Sequence, residues 1–380
     1  MRFTVERQEA LRAFRLAKQA TGVRCTLPIL ANVLVEADQE KQTVALTGYD
    51  MQSGLRLSMA AEVQDPGATT LAAWQAVDLL AALKVDAITF AATNETAQIG
   101  PASLGTLPAE EYPVIPPLTG KPCLTIRADR LADALARVAP FASKDPTRAI
   151  LQGVLLEVKG RRLIVSATDS CRLARLPVSG EGQRGRKGSA TAILPAECAT
   201  QLAKMIGKAK GLAEVRIGDL QINVTWQSPV GRFAFSSRLI EGRFPACKGI
   251  WRSLGATEGA VVSVDSDQLT AEVTAAHGVA KLDADKILLT FAGSALKLTA
   301  AAEGGHYESL LGANVHFGRH YLDPDGDGWY AVQAGYLLST LKFLGPGEVR
   351  WHFPYSETHP FAFTSPHRPG AIVAVSPMRL

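Results

Sequence analysis

Leu30-Ala-Asn-Val-Leu-Val-Glu36 returns as Leu151-Gln-Gly-Val-Leu-Leu-Glu157, an offset of 121 residues between positions 30 and 151. A looser third copy reads Ile287-Leu-Leu-Thr-Phe291. Each copy follows a short strand pattern and a helix pattern: Phe3-Thr-Val before Glu9 to Gln19, Leu124-Thr-Ile before Asp129 to Ala142, and Val261-Val-Ser-Val before Gln268 to His277. A second helix pattern follows each copy, at Ala73 to Leu83, Ala196 to Ile206 and Gly335 to Leu344. Repeats of roughly 20–50 residues build solenoids. A much longer unit is the size of a whole domain, commonly about 100–150 residues. The sequence therefore predicts three copies of one α+β domain over residues 1–122, 123–253 and 254–380. Each copy should pack two helices on antiparallel sheets.

Period-two alternation marks strands at Thr43-Val-Ala-Leu-Thr, Arg162-Leu-Ile-Val-Ser-Ala, Val215-Arg-Ile and Ala295-Leu-Lys-Leu-Thr-Ala. The helices are short and amphipathic. In the first, Gln8, Arg12, Arg15 and Gln19 form one polar, cationic stripe, while Ala10, Leu11, Phe14 and Ala17 lie on the neighbouring face and should pack on a sheet. The first helix of the second copy sets Arg130 and Arg137 against Leu131, Ala134, Leu135 and Val138. Lys204, Lys208 and Lys210 cluster at the end of the next. The proline-rich stretch from Pro113 to Pro122 reads as a stiff boundary, and Trp251 to Gly259 as a second one.

Charge is unevenly spread along a chain whose net charge is only +4. Ten cations against thirteen carboxylates give −3 for residues 1–122, twenty-two against ten give +12 for 123–253, and eight against thirteen give −5 for 254–380. A basic middle third suggests a polyanion beside it, with a solvated basic surface as the alternative. Cationic helix faces repeated around several domains could together guide a phosphate backbone, which requires charge rather than base-reading geometry. The amino end carries no apolar run of signal or membrane-span length, so a cytoplasmic protein with no membrane partner is expected. Five scattered cysteines without a CxxC fit reduced thiols better than a disulfide frame or a zinc site.

The apparent chemical motifs lack their contexts. Gly180-Glu-Gly-Gln-Arg-Gly185 spells GxGxxG but precedes a strand pattern, not the helix that dinucleotide binding requires, and reads as a loop. Asp323-Pro-Asp-Gly-Asp-Gly328 begins like a calcium loop, but Ala334 occupies the position that needs a bidentate glutamate. A polar hairpin inserted over His316 to Gly328 explains it without a metal. Asp50 and Asp169 fall at equivalent places in the first two copies, which argues for a turn rather than a duplicated active site. No catalytic residue, cofactor or metal is expected.

Three segments resemble the bacterial DNA polymerase III beta subunit, the sliding clamp family: Ala167-Thr-Asp-Ser-Cys-Arg-Leu-Ala174, Ser237-Arg-Leu-Ile-Glu-Gly-Arg-Phe-Pro245 and Ser376-Pro-Met-Arg-Leu380. Arg2-Phe-Thr-Val-Glu and Thr26-Leu-Pro-Ile-Leu30 are also similar to that family, so the likeness reaches from one end of the chain to the other. The resemblance implies the DNA clamp fold: a head-to-tail homodimeric ring with helices lining a central hole and sheets outside. It implies a non-enzymatic processivity factor that encircles double-stranded DNA, without sequence preference, and tethers DNA polymerases and a clamp loader through short linear motifs. Matching pocket positions are Leu151, Thr168, Ser170, Arg172, Leu173, Pro245, Ile250, Tyr336, Pro377, Met378 and Arg379. The set is mostly apolar with a few orienting polar groups, as a peptide groove should be.

The same resemblance adds DNA-facing cations to Arg12, Arg15, Arg130 and Arg137: Arg24 in the loop after the first helix, and Lys144 and Arg148 in the matching loop of the second copy. Leu104 and Leu107 resemble part of the family's edge-to-edge dimer contact, with Val279 on the facing helix. Ser170-Cys171 stands where the family usually has Gly-His, Gly249 replaces a basic pocket residue, Ser376 replaces a more apolar one, and the sequence pI of 8.8 contrasts with the usual acidic clamp. The third copy is the most altered, its first helix carrying Glu272 and few cations. These departures leave an alternative: a clamp-derived accessory protein that binds clamp partners, or pairs with another clamp chain, without forming a DNA-encircling homodimer.

Overall fold

The computed structural model describes residues 1–22, 26–93, 95–181, 189–247, 260–281, 283–292, 295–317, 330–354 and 359–378. Its helices are α1 (Arg7–Lys18), α2 (Ala73–Ala82), α3 (Ala128–Val138), α4 (Ala196–Ile206), α5 (Ser266–Ala280) and α6 (Ala334–Leu344). One element order occurs three times: a strand, a helix, a run of strands, a second helix, then three strands. α3 is shorter than the sequence pattern suggested. Pro140 cannot donate the next helical hydrogen bond, so the chain tightens into a 3₁₀ turn at Ala139–Phe141.

Contact density divides the chain into two compact units. The first holds Met1–Ala136, Leu156–Leu163 and Val178–Glu241; the second holds Arg137–Leu155, Ile164–Pro177 and Gly242–Leu380. In the first, an eight-stranded sheet takes strands from both the first and second repeats. Gly231–Arg238 pairs antiparallel with Ser53–Ala60, Arg232 opposite Ser58 and Ser237 opposite Ser53. The second unit repeats this device: Arg172 to Arg175 pairs antiparallel with Val375 to Ile372. Each repeat thus shares a hydrogen-bonded sheet with its successor, and residues 123–253 are divided between units.

α1 shows how the helices seat. Ala10, Ala13, Phe14 and Ala17 are buried, while Arg12 and Arg15 are exposed. Phe14 stacks on Phe90, and Phe90 on Phe3 of the adjoining strand. Small residues bring α1 very close to the strand Thr43–Tyr49: a Cβ added at Gly48 would lie 2.2 Å from the Ala17 carbonyl oxygen. The obstacle is backbone, so it cannot rotate away. We expect Gly48→Ala to cost about 3 kcal/mol, read as a lower thermal midpoint. A variant melting within about a degree of the parent would show that α1 yields more easily than this packing implies.

Arginines close two helix ends. Arg7 donates to the Leu80 and Val85 carbonyls at the end of α2, at 3.1 and 2.9 Å. Arg137 does the same for α6, donating to Lys342 and Phe343 at 2.8 and 3.0 Å. Terminal helix carbonyls lack intrahelical partners and carry partial negative charge, so a guanidinium suits both.

Candidate functional site: a turn, a helix and the chain's last strand

The segment Thr168–Leu173 is built around Asp169. Its Oδ1 accepts the backbone N–H of Cys171 at 3.0 Å and of Arg172 at 2.7 Å, while Thr168 Oγ1 accepts from Ser170 N at 3.1 Å. These bonds hold Ser170 at φ +82°, a left-handed conformation that a side chain adopts only when the turn is well determined. The first repeat has the same turn. Asp50 Oδ1 accepts from Gln52 N and Ser53 N at 2.9 and 2.6 Å, and Met51 sits at φ +71°. The two aspartates therefore make equivalent turns, as their spacing suggested.

Around the second turn the structure gathers much of the expected pocket. Arg172 lies 4.5 Å from the Tyr336 ring centroid and 5.0 Å from that of Phe141. Leu173 is buried, opposite Ala374, and Ser376 N donates to the Cys171 carbonyl at 2.8 Å. Met378 N donates to Ala331 O at 2.8 Å, next to the start of α6. Pro377 and Met378 are half-buried, and Ser170 and Cys171 are exposed. Thr168 is buried, its hydroxyl donating to Arg172 O at 2.6 Å. Leu151 is half-buried and closes the preceding loop, donating to Arg148 O at 2.9 Å and accepting from Ser143 N at 2.8 Å. Pro245 is exposed. Ile250 and Arg379 lie outside the described residues, as does Gly249. Burial, the Asp169 charge and Cys171 push the Tyr336 phenol up to about 12, so this wall is a neutral phenol at ordinary pH.

The repeat shows why the first copy is closed at the corresponding place. Gly54 stands where the second repeat has Leu173, and Tyr49 stands where it has Thr168. A Cβ at Gly54 would come 2.5 Å from Ile115 Cδ1 and 2.9 Å from Tyr49 Cδ2. Ile115, from the proline-rich segment, fills that space, and it packs on a cluster of Ile29, Leu30, Tyr49 and Tyr112.

The expected DNA-facing cations fare differently from one another. Arg12, Arg15, Arg130 and Lys144 are exposed. Arg148 is exposed but donates to Ser170 Oγ at 2.9 Å and pairs with Asp145 at 3.5 Å. Arg137 is half-buried, and its Nη1 donates to the α6 carbonyls of Lys342 and Phe343, which its position on a helical stripe could not reveal. Arg24 lies outside the described residues. α5 presents no lysine or arginine, and Asp265 caps its amino end by accepting from Asp267 N and Gln268 N.

Two strands end their sheets as edges. Ala102–Gly105, with Leu104 half-buried, closes the five-stranded sheet of the first unit; Leu107 just beyond is 37% exposed. Gly305–Gly312 closes the four-stranded sheet of the second unit beside α5. Tyr307 there donates to Glu272 at 2.5 Å, and Val279 of α5 lies 3.3 Å from the Cβ position of Gly305. Leu310, 63% exposed on that edge, was missed in the sequence. Its signal was an apolar residue on the face that His306 and Glu308 otherwise make polar. Of the expected insertion over His316 to Gly328, His316 and Phe317 are described, ending the strand Asn314–Phe317 with His316 paired to Val261. Residues 318–329, with the Asp323–Gly328 run and His320, lie outside the described residues, as do residues 182–188 of the glycine motif and the 251–259 boundary.

Comparison with known proteins gives this arrangement its context. Residues 1–116 match the model of the DNA polymerase III beta subunit N-terminal domain, and residues 125–246 match that of its central domain. A beta sliding clamp from Synechocystis is 28% identical over 364 residues, covering 88% of each chain. One from Pseudomonas aeruginosa is 26% identical and covers 100% of both. A solved structure of a sliding clamp from Pseudomonas aeruginosa bound to griselimycin superposes with a TM-score of 0.88 at 25% identity, over 100% of both chains. With two of the family's domain models matched in order and the fold shared from end to end, the chain belongs to the bacterial DNA polymerase III beta subunit family, the sliding clamps.

Proposed function

We propose that this protein is a DNA sliding clamp, a non-catalytic processivity factor that encircles duplex DNA and tethers polymerases. The observation that carries this reading is end-to-end coverage: the Pseudomonas aeruginosa relative named beta sliding clamp aligns with the whole chain and the Synechocystis one with 88% of it, not with one module. Tethering works by effective concentration, since a polymerase held near its template rebinds before it diffuses away. Three domains, over residues 1–122, 123–253 and 254–380, supply the ring's repeated unit, and the threefold element order supports that division. Arg12, Arg15, Arg24, Arg130, Lys144 and Arg148 guide the backbone. No metal or cofactor takes part, and the cytoplasm is the expected compartment; among the described residues no helix is long and apolar enough to cross a membrane.

The peptide site comprises the second-unit residues around Arg172, Leu173, Tyr336 and Met378. Polymerases and the clamp loader bind it through short motifs, and griselimycin, bound by the Pseudomonas aeruginosa clamp, is expected to compete with them.

Ring closure pairs the Ala102–Gly105 edge of one chain with the Gly305–Gly312 edge of another, covering backbone groups that otherwise invite aggregation. Leu104, Leu107, Val279 and Leu310 supply the apolar contact. Sedimentation at micromolar concentration should give twice the 40.4 kDa chain mass, and Leu310→Lys should shift the population toward monomer. Monomer alone across that range would overturn the homodimeric ring and favour an accessory protein that uses the same peptide site.

A further inference from the structure

We propose that Asp169, Phe141 and Ser339 are positioning residues that immobilise and neutralise Arg172, so that the peptide site presents an apolar, aromatic wall and selects against an acidic anchor. The inference rests on the peptide-site reading and specifies the ligand class that site accepts.

Three of the five N–H donors of the Arg172 guanidinium are committed within the protein. Nε and Nη2 donate to Asp169 Oδ2 at 2.9 and 2.7 Å, and Nη1 donates to Ser339 Oγ at 2.6 Å. The ion pair is close to buried, with side-chain exposures of 12% and 15%. Two aromatic rings, Tyr336 and Phe141, lie within cation–π range. A cation so placed has little field left for an incoming carboxylate, and exchanging Asp169 for a ligand would strand a buried charge. Ser339 extends the link: its hydroxyl accepts from Arg172 and donates to the Tyr336 carbonyl at 2.9 Å. The turn thereby fixes the helix residue that carries the aromatic wall.

The first repeat separates this role from the turn itself. Asp50 makes the same backbone bonds, but its turn carries Ser53 where the second carries Arg172. Ser53 Oγ meets Gln201 of α4 at 2.9 Å and both Asp50 carboxylate oxygens at 3.4 Å, so that junction holds no cation to restrain. Turn geometry therefore needs only an acceptor at Oδ1, which asparagine also provides. The second carboxylate oxygen of Asp169 is the addition.

The experiment uses the full-length protein and two fluorescein-labelled pentapeptides, Gln-Leu-Ser-Leu-Phe and Gln-Leu-Ser-Leu-Glu, with affinities from fluorescence anisotropy. The parent protein should prefer the first by roughly a hundredfold. Asp169→Asn keeps the turn and frees the cation; it should weaken the first peptide about tenfold and strengthen the second, collapsing the preference. Asp50→Asn should change neither. The Tyr336 phenol, followed by ultraviolet titration, should fall from about 12 in Asp169→Asn, because a nearby negative charge is gone. Should Asp169→Asn fail to fold, Ser339→Ala decides: it leaves the turn intact and should weaken the first peptide by several-fold. A parent protein that binds neither peptide rejects the site reading itself. Binding by the parent, with unchanged preference in Asp169→Asn or unchanged affinity in Ser339→Ala, overturns the positioning role alone.

Discussion

Assembled around nicked circular duplex by a clamp loader, the protein should remain bound in about 0.5 M salt, and a single cut in the circle should release it. At that ionic strength the Debye length is only a few ångströms, so exposed arginines contribute little attraction at a distance. Retention must then come from topology. Short linear duplex should bind weakly, in the micromolar-to-millimolar range of non-specific contacts, and lose affinity steeply as counterions return to the phosphates. Linearisation should shorten the bound lifetime by roughly a hundredfold or more, because the gain from enclosure is one of effective concentration. Charge reversal at Arg24 together with Lys144 should slow loading more than it shortens retention if, as proposed, both guide the strand into place. The readout is co-elution with the plasmid on gel filtration, before and after restriction. Salt-sensitive retention that is indifferent to the cut would leave an ordinary basic DNA-binding protein.

What the sequence reveals of this fold follows from what a repeat can encode. Strand and helix periodicities recur, so the six helices among the described residues fall within a few residues of their patterns, α3, cut short at Pro140, departing most. Sharing of sheets between repeats was not legible. Gly231–Arg238 against Ser53–Ala60 is a pairing between distant segments, and no local pattern names a partner. The site divides along the same line. The Asp169 turn is readable because Asp50 repeats it, and the family resemblance supplies Thr168, Ser170 and Arg172, whereas Phe141 and Ser339 reach Arg172 from other elements. Arg137 is the sharpest case: a helical stripe marks it as outward, yet the chain's last helix brings carbonyls to meet it. A periodic pattern specifies a face, and only tertiary packing decides what covers that face.

Removal of Met378 to Leu380 should abolish most binding of a clamp-binding peptide, the second large effect expected of this chain. One small apolar groove supports affinities near micromolar, about −8 kcal/mol, and a few anchors carry most of that energy. Truncating one anchor commonly costs more than about 1–2 kcal/mol, tenfold or more in affinity. Met378 is half-buried, with its amide held by Ala331 beside α6, so its removal should take away part of the proposed groove rather than a fully buried side chain. Tyr336→Ala should match it if, as proposed, the exposed part of that ring faces the ligand. Leu173→Ala is also expected to weaken binding about tenfold, but Leu173 is 4% exposed and pairs across the sheet with Ala374, so a cavity cost of about 2–4 kcal/mol accompanies it. The three variants therefore separate by melting temperature: the deletion and Tyr336→Ala should melt close to the parent, and Leu173→Ala well below it. Ser170 and Cys171 sit exposed at the rim, where a swap to Gly-His should alter which peptides bind and leave the tightest affinity within a few-fold. Calorimetry with one peptide across the set would decide the matter, and parent-like affinity in both the deletion and Tyr336→Ala would move the binding site elsewhere on the protein.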